Sequence, residues 1–123
     1  MKKAIQFIRD YACTGINVSD VAHKASLSRR VLVQRFKKIL GQTPGEEIAQ
    51  VRLAEVKKLL RDTSLPISRI AEQTGFEHIE YLSVVFKRET KVTPSFYRME
   101  AHRQAGLTEP FRKLARETFL ATG

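Results

Sequence analysis

The sequence predicts an all-α protein of about seven helices, in which one long central helix joins two short helical units. Three observations carry this. Apolar residues recur at helical spacing along the chain, and no stretch alternates with the period of two that a half-buried strand requires. Pro44 to Asp62, PGEEIAQVRLAEVKKLLRD, reads as one unbroken helix. The segments on either side of it are two copies of one pattern.

The central helix opens with proline at its first position, followed by glycine and two acidic residues, which is a helix start. Ile48, Val51, Leu53, Val56, Leu59 and Leu60 follow at helical spacing with no proline or glycine between them. About 18 residues at the helical rise span about 27 Å. The apolar positions spread around more than one side. That suits a strut packed by a unit at each end, with Leu53 and Val56 expected in a middle third that few side chains reach.

The two copies run from Val18 to Pro44 and from Ile67 to Pro94. Val18, Val21, Ala22 and Leu27 match Ile67, Ile70, Ala71 and Phe76. After a one-residue insertion, Leu32, Phe36, Lys37, Thr43 and Pro44 match Leu82, Phe86, Lys87, Thr93 and Pro94. Apolar type and spacing agree over a whole motif.

The remaining elements follow from their caps. Ala4, Ile5, Phe7, Ile8, Tyr11 and Ala12 give the first helix, Met1 to Cys13, its apolar face, and Thr14-Gly15 ends it. Asn17 caps a second helix over Val18 to Ala25, and Ser28 caps a third that stops at Gly41. Leu65-Pro66 opens a fifth that ends near Thr74-Gly75, and the sixth spans about His78 to Thr90. Thr93 caps a seventh with Pro94 at its first position, and Gly106 is expected to close it. Residues 107–123 form a tail, helical or frayed.

Composition narrows the function. The 123 residues carry a net charge of +9, with +7 on residues 1–62 and +2 on residues 63–123. A basic helical protein suits an anionic partner, most simply nucleic acid. Cys13 is the only cysteine, so no internal disulfide forms. No apolar run approaches the roughly 18 residues of a membrane span, and the N-terminus lacks a signal-peptide apolar core. A cytoplasmic protein is expected. His23, His78 and His102 fall on three different helices without metal-ligand spacing. No Gly-rich phosphate loop and no oriented nucleophile occur, so neither an enzyme nor a cofactor is expected.

A short helix, a tight turn and a second helix make a helix-turn-helix. Its second helix enters the major groove, which admits a helix and displays a distinct pattern for each base pair. In the third helix, Leu32, Phe36 and Ile39 are expected in the core. Arg30, Val33 and Gln34 face outward as base-reading candidates: arginine pairs with guanine, glutamine with adenine, and valine touches a thymine methyl. Arg29, Arg35, Lys37 and Lys38 suit phosphates. In the sixth helix Leu82, Val85 and Phe86 point inward. His78, Ile79, Glu80, Ser83 and Val84 are the base-contact candidates, and Lys87, Arg88 and Lys91 suit phosphates.

Two such units on one long helix, together with Ile70-Ala71, Gly75-Phe76, Leu82, Phe86-Lys87, Thr93-Pro94 and Tyr97-Arg98, resemble the AraC/XylS family of transcription regulators. The resemblance covers about residues 3–104. The stretch from Phe7 to Cys13, Gly15 to Val18, Ser28-Arg29-Arg30 and Arg35-Phe36 is similar to the xylose-operon regulator branch of that family. The resemblance implies a DNA-binding domain over residues 1–106, with the first helix-turn-helix at about 17–40, the linker helix at 44–62 and the second at about 66–90. It also implies double-stranded operator or promoter DNA and RNA polymerase as partners, activation of a sugar catabolic operon, xylose in that branch, and an effector sugar acting through an N-terminal domain absent from this chain. Many members carry arginine where this chain has Gln34 or Val84, so base preference does not carry over. The residues alone leave operator, inducer and activation versus repression open. They also admit a non-specific or architectural nucleic-acid binder, against which Val33 and Gln34 between basic residues argue, and a protein-interaction domain, which would leave the basic first half without a purpose.

Overall fold

Side-chain oxygens start four of the helices. The Asp20 N–H donates to Asn17 Oδ1 at 2.9 Å while the Asn17 N–H donates to the Asp20 carboxylate at 2.9 Å, a reciprocal cap on α2, Val18–Ala25. Thr43 and Glu46 repeat it on α4, Pro44–Asp62, at 3.1 and 2.9 Å. Ser28 accepts from the Val31 N–H at the head of α3, Arg29–Leu40. Thr93 accepts from the Phe96 N–H at the head of α7, Pro94–Leu114. The other elements are α1, Lys2–Tyr11, a 3-10 turn over Ala12–Thr14, α5, Ile67–Gln73, and α6, Ile79–Thr90. The computed structural model describes the backbone of residues 1–114 and the side chains of residues 1–104. No strand occurs among the described residues.

The internal repeat becomes two cores. Val21, Leu32 and Phe36 are fully buried in the first, with Ala4 and Ile8 of α1 and Ile48 of α4. Their counterparts Ile70, Leu82 and Phe86 are fully buried in the second, with Val85 and with Leu53, Val56 and Leu60 of α4. Each side chain of this size contributes about 1.5–3 kcal/mol by leaving water. The repeat extends to the backbone. Ser26 and Gly75 both adopt the left-handed conformation in the tight turns, at φ 55° and 84°. Gly41 and Lys91 do so after the recognition helices, at 74° and 70°. One copy uses glycine where the other tolerates a side chain.

α7 is fixed over the end of α4. The Tyr97 ring meets Phe86 edge-on at 5.4 Å, and Arg61 donates to the Tyr97 hydroxyl at 3.1 Å. The Leu60 carbonyl accepts from Arg98 Nε at 3.4 Å and lies 2.9 Å from His102 Nε2.

Five expectations from sequence need correction. The first helix gives way to the 3-10 turn after Tyr11 instead of continuing to Cys13. His78 is the N-cap of α6, with extended backbone, and not part of it. Ile39 is 56% exposed: it sits in the last turn of α3, beyond the reach of the core that covers Leu32 and Phe36. The middle of α4 is not bare, since Leu53 is 4% exposed and Val56 fully buried, both in the second core. The second unit therefore reaches further along the strut than the first, which takes Ile48 and, in part, Val51. Finally, α7 runs through Gly106 to Leu114. An interior glycine costs a helix only about 1 kcal/mol, which does not stop it where Gln104, Ala105 and Leu107 favour continuation. Of the expected tail, residues 115–123 lie outside the described residues.

Candidate nucleic-acid interface

In α3 the fully buried Leu32 and Phe36 fix the helix's rotation. The opposite side must then face solvent, and it is the side that carries the polar set. Arg30, Gln34, Lys37 and Lys38 are all exposed, as are Arg29 and Arg35 at the flanks, while Val33 is half-buried. None of these five cations joins an ion pair among the described residues. The two ion pairs among the described residues lie elsewhere, Arg69–Glu72 at 3.5 Å and Arg103–Glu100 at 2.9 Å, each within one helix. The charge of α3 is therefore available to an external anion.

In α6 the buried Leu82, Val85 and Phe86 turn His78, Glu80, Val84, Lys87 and Arg88 outward, and Lys91 is exposed just beyond the helix. Val84 is 62% exposed. Ile79 and Ser83 are half-buried, at the edges of this face. The proposed contact residues thus fall into two sets, one per recognition helix, each on the side away from its own core.

Electrostatics ties the start of α4 to both helices. Hydrogen bonds from the Thr43 backbone and hydroxyl hold the Glu46 carboxyl below the usual carboxylate range. Lys37 of α3 and Arg88 of α6 reinforce the effect. Burial pushes the Cys13 thiol up, with Glu55 adding and Arg52 opposing, so it is a poor nucleophile at neutral pH. Among the described residues no three His, Cys, Asp or Glu gather as a metal site, and no helix is long and apolar enough to cross a membrane.

Two residues escaped the sequence reading. Tyr81 is 55% exposed on the flank of α6 and packs against Phe76 with ring centroids 6.1 Å apart. Its signal was there: it precedes the core residue Leu82 and so sits one helical step off the buried side. Arg52, inside α4, binds backbone carbonyls 36 and 40 residues earlier in the chain. No local pattern announces such partners.

Residues 21–100 match the family model HTH_18, described as "Helix-turn-helix domain". The chain is 35% identical over 96 residues to the xylose operon regulatory protein of Escherichia coli K12, covering 78% of this chain and 24% of that protein. It is 45% identical over 75 residues to the HTH-type transcriptional activator RhaR of Escherichia coli O1:K1, covering 61% of this chain and 27% of that protein. The chain thus spans about a quarter of the length of these curated relatives. Among solved structures it is similar to the C-terminal domain of the two-component response regulator yesN from Fusobacterium nucleatum. The TM-score is 0.72 at 35% identity, over 79% of this chain and 96% of that one. Two buried copies of one helix-turn-helix, a shared strut and a family match over both copies lead to one assignment: the chain belongs to the AraC/XylS family of helix-turn-helix, DNA-binding transcription regulators.

Proposed function

We infer that this chain binds one asymmetric duplex site as a monomer, with α3 and α6 in successive major grooves of one face. Arg30, Val33 and Gln34 read bases from α3, and Arg29, Arg35, Lys37 and Lys38 hold its phosphates. His78, Ile79, Glu80, Ser83 and Val84 give α6 a smaller reading set, with phosphate contacts from Lys87, Arg88 and Lys91. The observation that carries this reading is the face of α3: five exposed cations without ion-pair partners surround one exposed glutamine and a half-buried valine. A purely electrostatic binder has no use for Gln34 at the centre of that face.

The regulatory reading is activation of a sugar catabolic operon, with xylose as the leading sugar. It is supported by the names of the two relatives, a xylose operon regulator and the activator RhaR. It extends to RNA polymerase as the partner at the promoter, to an effector sugar sensed by another part of the full-length regulator, and to the cytoplasm as compartment. The functional DNA-binding unit is proposed to be residues 1–106.

Selection of bound duplexes from a random pool, followed by salt titration, tests it. A specific binder yields one enriched asymmetric motif, bound about 10³-fold or more tighter than random duplex at physiological salt. A pool that never enriches, with one salt slope for every sequence, would identify an architectural binder instead.

A further inference from the structure

The two cores are separate, yet the units also meet beside the strut, around Arg52. Arg52 leaves the middle of α4 toward the loop after α1. Its Nε donates to the Ala12 carbonyl at 2.7 Å and its Nη2 to the Ile16 carbonyl at 2.7 Å. Ala12 is 1% exposed and belongs to the first core. The guanidinium lies 5.7 Å from the ring centroid of Phe76, which is 3% exposed and belongs to the second core. One side chain therefore holds backbone of the first unit and an aromatic ring of the second.

Gly75 completes the contact. A Cβ there would lie 2.7 Å from the Ala12 carbonyl oxygen, 3.0 Å from Gly15 N and 3.0 Å from Arg52 Nε. Its φ of 84° already disfavours a side chain. The turn of the second unit thus comes against the loop of the first with no room between them, on the same carbonyl that Arg52 holds. Beside this contact the surface opens into a cleft of about 870 Å³ bordered by Cys13, Asn17 and Tyr81. Half-buried, Arg52 is desolvated, which lowers its pKa, but a guanidinium remains charged at neutral pH. Lysine could not replace it, because one ammonium lacks the planar fork that serves two carbonyls and the flat face that lies against a ring.

We propose that Arg52 is a positioning residue for DNA recognition: by clamping the Ala12–Ile16 loop of the first helix-turn-helix and Phe76 of the second, it sets the aim of α3 relative to α6 and so fixes the spacing of the two elements the protein accepts. It touches no DNA itself. The proposal rests on the two-groove reading above. Its consequence is that spacing discrimination and affinity are separable, since the DNA-facing side chains and both cores remain intact without the clamp.

The test compares wild type, Arg52→Met and Arg52→Lys, each checked by circular dichroism and thermal melting. The probe is a duplex selected from a random pool by the wild-type protein, beside the same duplex with one base pair inserted between its two elements and a random duplex. Wild type should lose about tenfold in affinity for the inserted duplex, the cost of one misplaced contact. Both variants should bind random duplex as wild type does, yet tell the two selected duplexes apart by only about twofold, within the range of a lost positioning contact. Should Arg52→Met fail to fold, Arg52→Lys, which keeps the charge but not the planar fork, gives the same reading. A folded variant that retains the full tenfold discrimination overturns the clamp. Wild type that ignores the insertion overturns the two-groove reading beneath it, so the two failures are distinguishable.

Discussion

Arg30 and Lys37 are both exposed on the outward side of α3, about two turns apart. A guanidinium can bond one base edge bidentately, whereas an ammonium acts on phosphate as a point charge. Arg30→Ala should therefore cost about 1–3 kcal/mol on the selected site, concentrated at one base pair, with preference relaxed there. Lys37→Ala should weaken all duplexes alike and lower the salt slope by about one. Fluorescence anisotropy on a panel of single-base site variants at several salt concentrations measures both. Equal weakening of specific and random DNA by Arg30→Ala would remove its reading role. At this scale the sequence was legible wherever residues interact within one helix. The caps Asn17, Ser28 and Thr93 and the buried pairs Leu32–Leu82 and Phe36–Phe86 could all be read from spacing. Ile39 could not, because its helical phase is a core phase and only the end of the packing surface leaves it in water. Arg52 could not either, because its acceptors are main-chain carbonyls of a distant loop, and every residue has one.

Among the elements, α4 carries the most consequence. Pro44 at its first position, the acidic residues after it and the uninterrupted apolar spacing made its existence and both ends readable in advance. What spacing could not supply was which unit claims which turn. Val51 packs partly against the first core, and Leu53, two residues on, is buried in the second. Ala54 is exposed just after that hand-over. A proline at Ala54 removes a backbone hydrogen bond and clashes with the preceding turn, at about 3 kcal/mol or more. The break falls within the second core's share of the helix, between Leu53 and Val56. Ala54→Pro should keep most of its helical circular dichroism, with the second unit loosened more than the first because Leu53 and Val56 flank the break. Binding to the selected duplex should fall much further than helix content, while weak, salt-sensitive binding to random DNA persists. Specific binding at the wild-type level by this variant would mean that the two units act independently.

For the whole molecule, the two unlike exposed faces of α3 and α6 are joined by one helix and by the contact of Arg52 and Gly75 with the first unit's loop. The faces differ in kind: α3 presents arginines, lysines and Gln34, whereas α6 presents Glu80 and Val84 with cations only toward its end. On the proposed two-groove reading such a molecule has no use for a palindrome, because its two halves would read different bases. Successive major grooves on one face lie about 34 Å or 10 base pairs apart. The most direct measurement is a hydroxyl-radical footprint on the selected duplex, with binding stoichiometry determined in the same buffer by analytical ultracentrifugation. One chain per duplex is expected, with two protected segments of different sequence about one helical turn apart on one face. A single protected segment, or two chains on a palindromic site, would contradict it.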